Sequence, residues 1–161
     1  MTNIIKTTKD FKSKLFINKA IFKFINLWIC FCVISLNSCT KNQNIVPYVY
    51  VDQYINISLP SYSSLNSIGG WTYIIGGSRG IIIYRQSYDQ FSSYDRHCTF
   101  NADNQCGKAT VDSTNSYVEC ACDSSRYQLF DGLVIQGPAS YSLKNYQTSF
   151  DIISNQIHIF N

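Results

Sequence analysis

Charge is scarce in this sequence. Only 14% of its 161 residues are Asp, Glu, Lys or Arg, against 45% hydrophobic residues. So few charges exclude a long solvated helix or coiled coil, and so many apolar side chains exclude an intrinsically disordered chain. A basic stripe is missing too. In residues 1–38 six lysines stand against Asp10 alone, giving +5, whereas residues 39–161 hold seven Lys/Arg and nine Asp/Glu, giving −2. Phosphate-backbone binding therefore lacks its electrostatic drive, and no nucleic-acid partner is expected. No phosphate loop is present: Gly69-Gly70 and Gly76-Gly77 are followed by no Gly-Lys-Ser/Thr. No Gly-x-Ser-x-Gly elbow exists, and Asp and Glu are too scattered to suggest paired carboxylates. An enzyme is not expected.

The N-terminus carries an address. Phe24–Leu36 is apolar except for Asn26 and Ser35 and spans 13 residues. As a helix it would be about 20 Å long, short of a bilayer core of about 30 Å and right for a signal-peptide core. Lysines precede it and Leu36-Asn37-Ser38-Cys39 closes it. This ending resembles a bacterial lipobox, with Asn37 an unusual occupant. The resemblance implies cleavage after residue 38, acylation of Cys39 and attachment to membrane lipid through that residue, since two or more acyl chains hold firmly where one does not. The expected organisation is a lipoprotein signal peptide at 1–38, a polar tether at 39–47 and one domain at 48–161. The tether has no acidic cluster for surface export, so the expected location is the bacterial cell envelope, at the periplasmic face of the outer membrane. An uncleaved anchor helix is the competing reading.

Beyond residue 44 short runs of Ile, Val, Tyr and Phe alternate with Gly, Asn, Ser and Asp, a strand pattern. Strands are predicted at 48–51, 54–59, 71–75, 80–85, 91–96, 117–120, 127–130, 133–135, 145–153 and 156–160. Asp131-Gly132 is a hairpin signal, and Ser154-Asn155 turns the last hairpin. Thr99–Lys108 reads as the one long irregular loop. The fold class expected is all-β, a small antiparallel sandwich or barrel.

Seven cysteines are present. Cys30 and Cys32 lie in the signal and Cys39 is the lipid site, which leaves Cys98, Cys106, Cys120 and Cys122. Four cysteines in an exported domain suggest disulfides. A tetrathiolate zinc site competes, but the one-residue gap in Cys120-Ala-Cys122 is shorter than zinc sites prefer. His97 and Cys98 are adjacent, so on a strand they would face opposite ways. His158 lies in an alternating strand and reads as an ordinary surface or half-buried residue.

Residues 120–146 contain Cys120-Ala-Cys-Asp-Ser-Ser-Arg-Tyr127, then the Asp131-Gly132 hairpin, Gly137-Pro-Ala139 and Ser142-Leu-Lys-Asn-Tyr146. Together with Tyr94-Asp-Arg-His-Cys98 and the strand Gly80–Tyr84, this resembles the Rieske [2Fe–2S] family over roughly residues 54–161, specifically the small flavobacterial Rieske-like lipoproteins of the Bacteroidetes. The resemblance implies a Rieske-type β fold with a disulfide-linked loop tip. It places Cys98 and Cys120 at the cysteine-ligand positions, Cys106 and Cys122 at a bridged pair, and Ser125 and Tyr127 at residues that hydrogen-bond the cluster or its ligand. The two histidine ligands are replaced by Phe100 and Asp123. A Rieske centre needs both, so the expectation is no iron–sulfur cofactor. Cys98 and Cys120, which would meet at one iron, are instead bonded to each other, with Phe100 filling space. The resulting reading is a lipid-anchored binding or structural module whose protein partner is not specified. The alternative is an electron-transfer protein with an atypical [2Fe–2S] cluster on Cys98, Cys120, Asp123 and one further cysteine.

Overall fold

The computed structural model describes residues 46–161. The expected signal peptide at 1–38 and the expected lipidation site at Cys39 lie outside the described residues. Ten antiparallel strands form two sheets. They are β1 (Asp52–Asn56), β2 (Trp71–Ile74), β3 (Ile81–Arg85), β4 (Phe91–Asp95), β5 (Ala109–Val111), β6 (Tyr117–Cys120), β7 (Arg126–Gln128), β8 (Val134–Gln136), β9 (Asn145–Asp151) and β10 (Gln156–Phe160). The larger sheet has the order β1-β10-β9-β4-β3-β2, and the smaller runs β5-β6-β7-β8. The all-β class, the antiparallel pairing and a disulfide-linked loop tip are all present.

The run Ile81-Ile82-Ile83 shows how one strand serves two cores. All three side chains are fully buried. Successive strand side chains face opposite ways, so Ile81 and Ile83 join Val51, Ile55, Leu65, Ile157 and Ile159 on one face. Ile82 joins Tyr94, Val118, Tyr127 and Leu129 on the other, beneath the smaller sheet. Burying each such side chain is worth about 1.5–3 kcal/mol.

One expected strand is absent and two elements appear that the sequence pattern does not predict. Tyr48–Val51 is not a strand, because the β1–β10 ladder ends at the pair Asp52–Phe160. Beyond it the Asn161 side chain serves the backbone instead, accepting from Val51 N and donating to the Val49 carbonyl. Pro60–Asn66 is a 3-10 helix, started by a proline whose missing N–H costs nothing in a first turn. Ala109–Val111, for which no strand is predicted, pairs with β6.

The β5–β6 hairpin is fastened to β2 by side chains. Trp71 Nε1 donates to Asn115 Oδ1, and Val111 N donates to the Tyr73 hydroxyl. Asp112 orders the hairpin turn. Desolvation works against its ionisation, but donors from the Thr114 hydroxyl and the amides of Tyr117, Thr114 and Ser116 outweigh it and hold its carboxyl well below the usual range. A carboxyl depressed in the fold adds stability above its unfolded value and loses it as pH falls toward its folded value. Asp112→Asn should therefore lower the melting temperature at pH 7, and the difference from wild type should narrow as the pH drops from about 4 toward 2. A difference that stays constant over that range, in melts followed by circular dichroism, would refute the role given to the carboxylate.

A second tie lies at the β2–β3 turn. Asp95, fully buried at the end of β4, accepts from Ser78 N at 2.6 Å and the Tyr146 hydroxyl at 2.7 Å on Oδ2, and from His97 N at 2.9 Å and Arg79 N at 3.3 Å on Oδ1. Burial, and then Asp95 itself, raise the Tyr146 pKa, so this hydroxyl keeps its proton and donates. Gly77 (φ +59°) makes the turn possible: a Cβ there would stand 2.5 Å from both Asp95 Oδ2 and Tyr146 Oη. Gly77→Ala should destabilise the domain by about 2 kcal/mol or more, from the left-handed backbone and the clash together. A denaturant midpoint unchanged from wild type would contradict this packing.

Candidate functional site

Three loops converge at one end of the smaller sheet. The first, 96–108, follows β4; the second, 121–125, joins β6 to β7; the third, 137–144, follows β8. Two disulfides tie the first to the second. Cys98 is bonded to Cys120 with Cα atoms 6.0 Å apart, and Cys106 to Cys122 at 5.7 Å, both within the usual span for a bridge. Cys98 and Cys120 are fully buried and belong to the core under the smaller sheet, whereas Cys106 is exposed.

The first and second loops are shaped by their own backbones. Cys98 N donates to Gly107 O, closing the long loop at its base. Cys120 N donates to Ser125 O and Ser124 N to Cys120 O, closing the short one. Ser124 adopts φ +58°, and the Asp123 carboxylate accepts from Ser125 N at 2.8 Å, a turn typical of aspartate.

The third loop is joined by hydroxyls. Ser125, fully buried, accepts from Ala139 N at 2.9 Å. The Thr99 hydroxyl donates to the Tyr141 carbonyl at 2.6 Å. Its single hydrogen is then spent, so the contact with the Tyr127 hydroxyl at 3.0 Å has Tyr127 donating. Burial raises the Tyr127 pKa, which keeps that hydrogen in place. Tyr127 Oη also lies 4.0 Å from Cys120 Sγ. Ser125 and Tyr127 thus each hold a neighbouring loop, through Ala139 and Thr99.

His97 was set aside in the sequence reading as facing away from Cys98, and the structure gives it a definite task. It is buried, with Nε2 2.6 Å from the Ala102 carbonyl and Nδ1 2.8 Å from Ser78 Oγ. A carbonyl can only accept, so Nε2 donates to Ala102, and Nδ1 shares a hydrogen bond with the Ser78 hydroxyl. Both ring nitrogens are occupied in holding the long loop against the β2–β3 turn. His158 sits on β10 in the larger sheet, half-buried, stacked between Tyr54 and Phe160 and 2.7 Å from Asp52 Oδ1. Phe100 does not fill the tip: it is 38% exposed, because it follows the point where the chain leaves the core at Thr99.

A Rieske-type [2Fe–2S] centre would need free thiolates at Cys98 and Cys120 and two imidazoles facing them. The residues present do not fit that group. The two thiols are joined to each other, Phe100 offers no donor atom, and the Asp123 carboxylate is engaged by its own turn. Both nitrogens of His97 are used, and His158 belongs to the other sheet.

No family model matches the sequence, and no curated protein matches it. Solved structures similar to the chain include the plasma-membrane Rieske protein of the cyanobacterium Synechocystis PCC 6803, with 20% identity over 63% of this chain and 95% of that one, at a TM-score of 0.49. The ferredoxin of carbazole 1,9a-dioxygenase from Nocardioides aromaticivorans IC177 is similar over 72% of this chain and 98% of its own, with 13% identity and a TM-score of 0.41. A complex of reduced oxygenase and oxidised ferredoxin of carbazole 1,9a-dioxygenase gives 14% identity, 71% and 94% coverage and a TM-score of 0.44.

The two bridges should differ in vulnerability. The exposed Cys106–Cys122 bond is open to solvent reductant and the buried Cys98–Cys120 bond is not. Mild reduction followed by alkylation should label Cys106 and Cys122 first, read by peptide mass spectrometry. Cys106→Ser/Cys122→Ser, whose cysteines are 16 positions apart, should cost about 3 kcal/mol from the freed loop. Cys98→Ser/Cys120→Ser should cost more, because it also places two hydroxyls in an apolar core. The reverse order in either measurement would overturn this picture of the tip.

Proposed function

We propose that the chain is an exported lipoprotein whose Rieske-like domain carries two disulfides where the parent family carries an iron–sulfur cluster, and that it acts as a binding or structural module at the envelope. The observation that carries this reading is the bond between Cys98 and Cys120. The two residues best placed to hold iron are consumed in a crosslink. The same crosslink closes the tip as a rigid end built from three loops, a surface suited to binding a partner rather than to passing electrons. The lysine-rich start and Leu36-Asn-Ser-Cys39 support acylation at Cys39 and a membrane-bound life in the periplasm. Disulfides persist in that compartment.

The retained Ser125 and Tyr127 favour the alternative, an electron-transfer protein with an atypical cluster. Their bonds to Ala139 and Thr99 give both residues a structural use without iron.

Protein exported natively, purified without reductant, should be colourless, with no acid-labile sulfide and no free thiols at 98, 106, 120 and 122. Stoichiometric iron and sulfide with visible absorption bands would establish the alternative. For the anchor, Cys39→Ala should abolish acylation and either release the protein from membranes or stall its processing. A processed alanine variant that fractionates with membranes like wild type would rule out lipidation at this residue.

A further inference from the structure

Beside the first cysteine loop, and separate from the disulfides, a pocket of about 570 Å³ opens between the end of β2, the β2–β3 turn and the base of loop 96–108. Its walls include Tyr73, Ile75, Ser78, Arg79, Arg96 and Lys108. Three cations from three distant parts of the chain thus share one cavity. Among the described residues the ion pairs are Arg126–Glu119 and His158–Asp52, and neither involves them.

Neutral groups hold two of these cations in place without cancelling their charge. Arg79 donates from Nη1 to the Gln105 carbonyl at 3.1 Å and from Nη2 to the Asn104 carbonyl at 2.6 Å. Arg96 donates from Nε to the Ala109 carbonyl at 2.9 Å, and its guanidinium lies 3.6 Å over the Tyr73 ring. Lys108 is exposed on the rim. Asp95, behind the turn, offsets one positive charge through its bonds to the turn amides, which leaves a local charge of about +2 by this count. Ile75, 93% exposed, stands at the edge of the cavity and gives it an apolar lip.

We propose that this pocket binds a phosphate group borne on an apolar or aromatic body. A phosphate dianion matches the uncompensated charge, and the N–H groups that Arg79 and Arg96 do not spend on loop carbonyls, with the Lys108 ammonium, are donors that phosphate oxygens take well. The exposed Ile75 would cover the body that carries it. The group could be supplied by a soluble organic phosphate or by a lipid headgroup near the anchor, and both present the same oxygens. The site does not depend on whether the tip holds iron, so its failure and that of the cluster-free reading are separable.

The test is calorimetric titration of the full chain in uncharged detergent with inorganic phosphate, phenyl phosphate and dihexanoyl phosphatidic acid, at matched chloride. Saturable binding of phenyl phosphate or dihexanoyl phosphatidic acid is expected to exceed that of inorganic phosphate. Lys108→Glu should weaken it about tenfold or more, as loss of a charge-assisted contact and its replacement by a like charge require. Lys108→Arg should retain it. Tighter binding of phosphatidic acid would identify a headgroup, and tighter binding of phenyl phosphate a soluble ligand. Lys108 is on the surface, so its variants should keep the wild-type melting temperature; Arg96→Gln, checked for intact disulfides, gives a second reading. Absence of saturable binding by all three probes would overturn the proposal. So would binding undiminished in both Lys108→Glu and Arg96→Gln.

Discussion

A buried carboxylate is tolerated only when its lone pairs are filled, and Asp95 meets this by drawing donors from three separate places. The Ser78 and Arg79 amides come from the β2–β3 turn, the His97 amide from the start of the first cysteine loop, and the Tyr146 hydroxyl from β9. None of these segments can shift without stranding a buried polar group. The direction in which the chain leaves β4 follows from this. Once His97 is held, Cys98 points into the core and meets Cys120, and the Arg96 guanidinium lies over the Tyr73 ring. The disulfide tip and the cationic pocket are two consequences of one anchored turn.

The two sheets are stabilised differently. The larger has strands of four to seven residues and a core of branched aliphatic side chains. The smaller has strands of three or four residues, too short to bury much by themselves. It leans on the face of the larger sheet through Ile82 and Tyr94, whose hydroxyl pKa is pushed up to about 12 by burial. The Tyr94 hydroxyl in turn donates to the Phe130 carbonyl before the Asp131-Gly132 turn. The crosslinks Cys98–Cys120 and Cys106–Cys122 supply what a small core cannot.

Much of this was legible from local pattern. Ile81–Ile83 announces a strand, Asp131-Gly132 announces a hairpin, and an even set of cysteines in a chain read as exported announces disulfides. The misses have specific causes. Ala109–Val111 is a three-residue strand at the end of a polar loop, too short to show alternation, and it exists because β6 offers it partners. Tyr48–Val51 has strand-forming side chains but no ladder to join, since β10 pairs no further than Phe160. Pro60–Asn66 is too short for a helical period to appear. Phe100 was expected inside because the resemblance places it at a ligand position, yet the loop turns outward after Thr99. His97 was read only through its neighbour Cys98, and its hydrogen-bond partners, Ser78 and Ala102, are set by loop geometry.

By itself the sequence determined the all-β class, most of the strands and the cysteines available for bridging. These depend on side-chain chemistry and on periodicities of two residues, which are local properties of the chain. Only the tertiary structure decided which groups meet. It joined Cys98 to Cys120, filled Asp95 from three segments, and gathered Arg79, Arg96 and Lys108 around one cavity. The reason is physical: charges and thiols 12 to 29 positions apart interact according to distance in space, and the folding of a turn and two loops onto one carboxylate sets that distance.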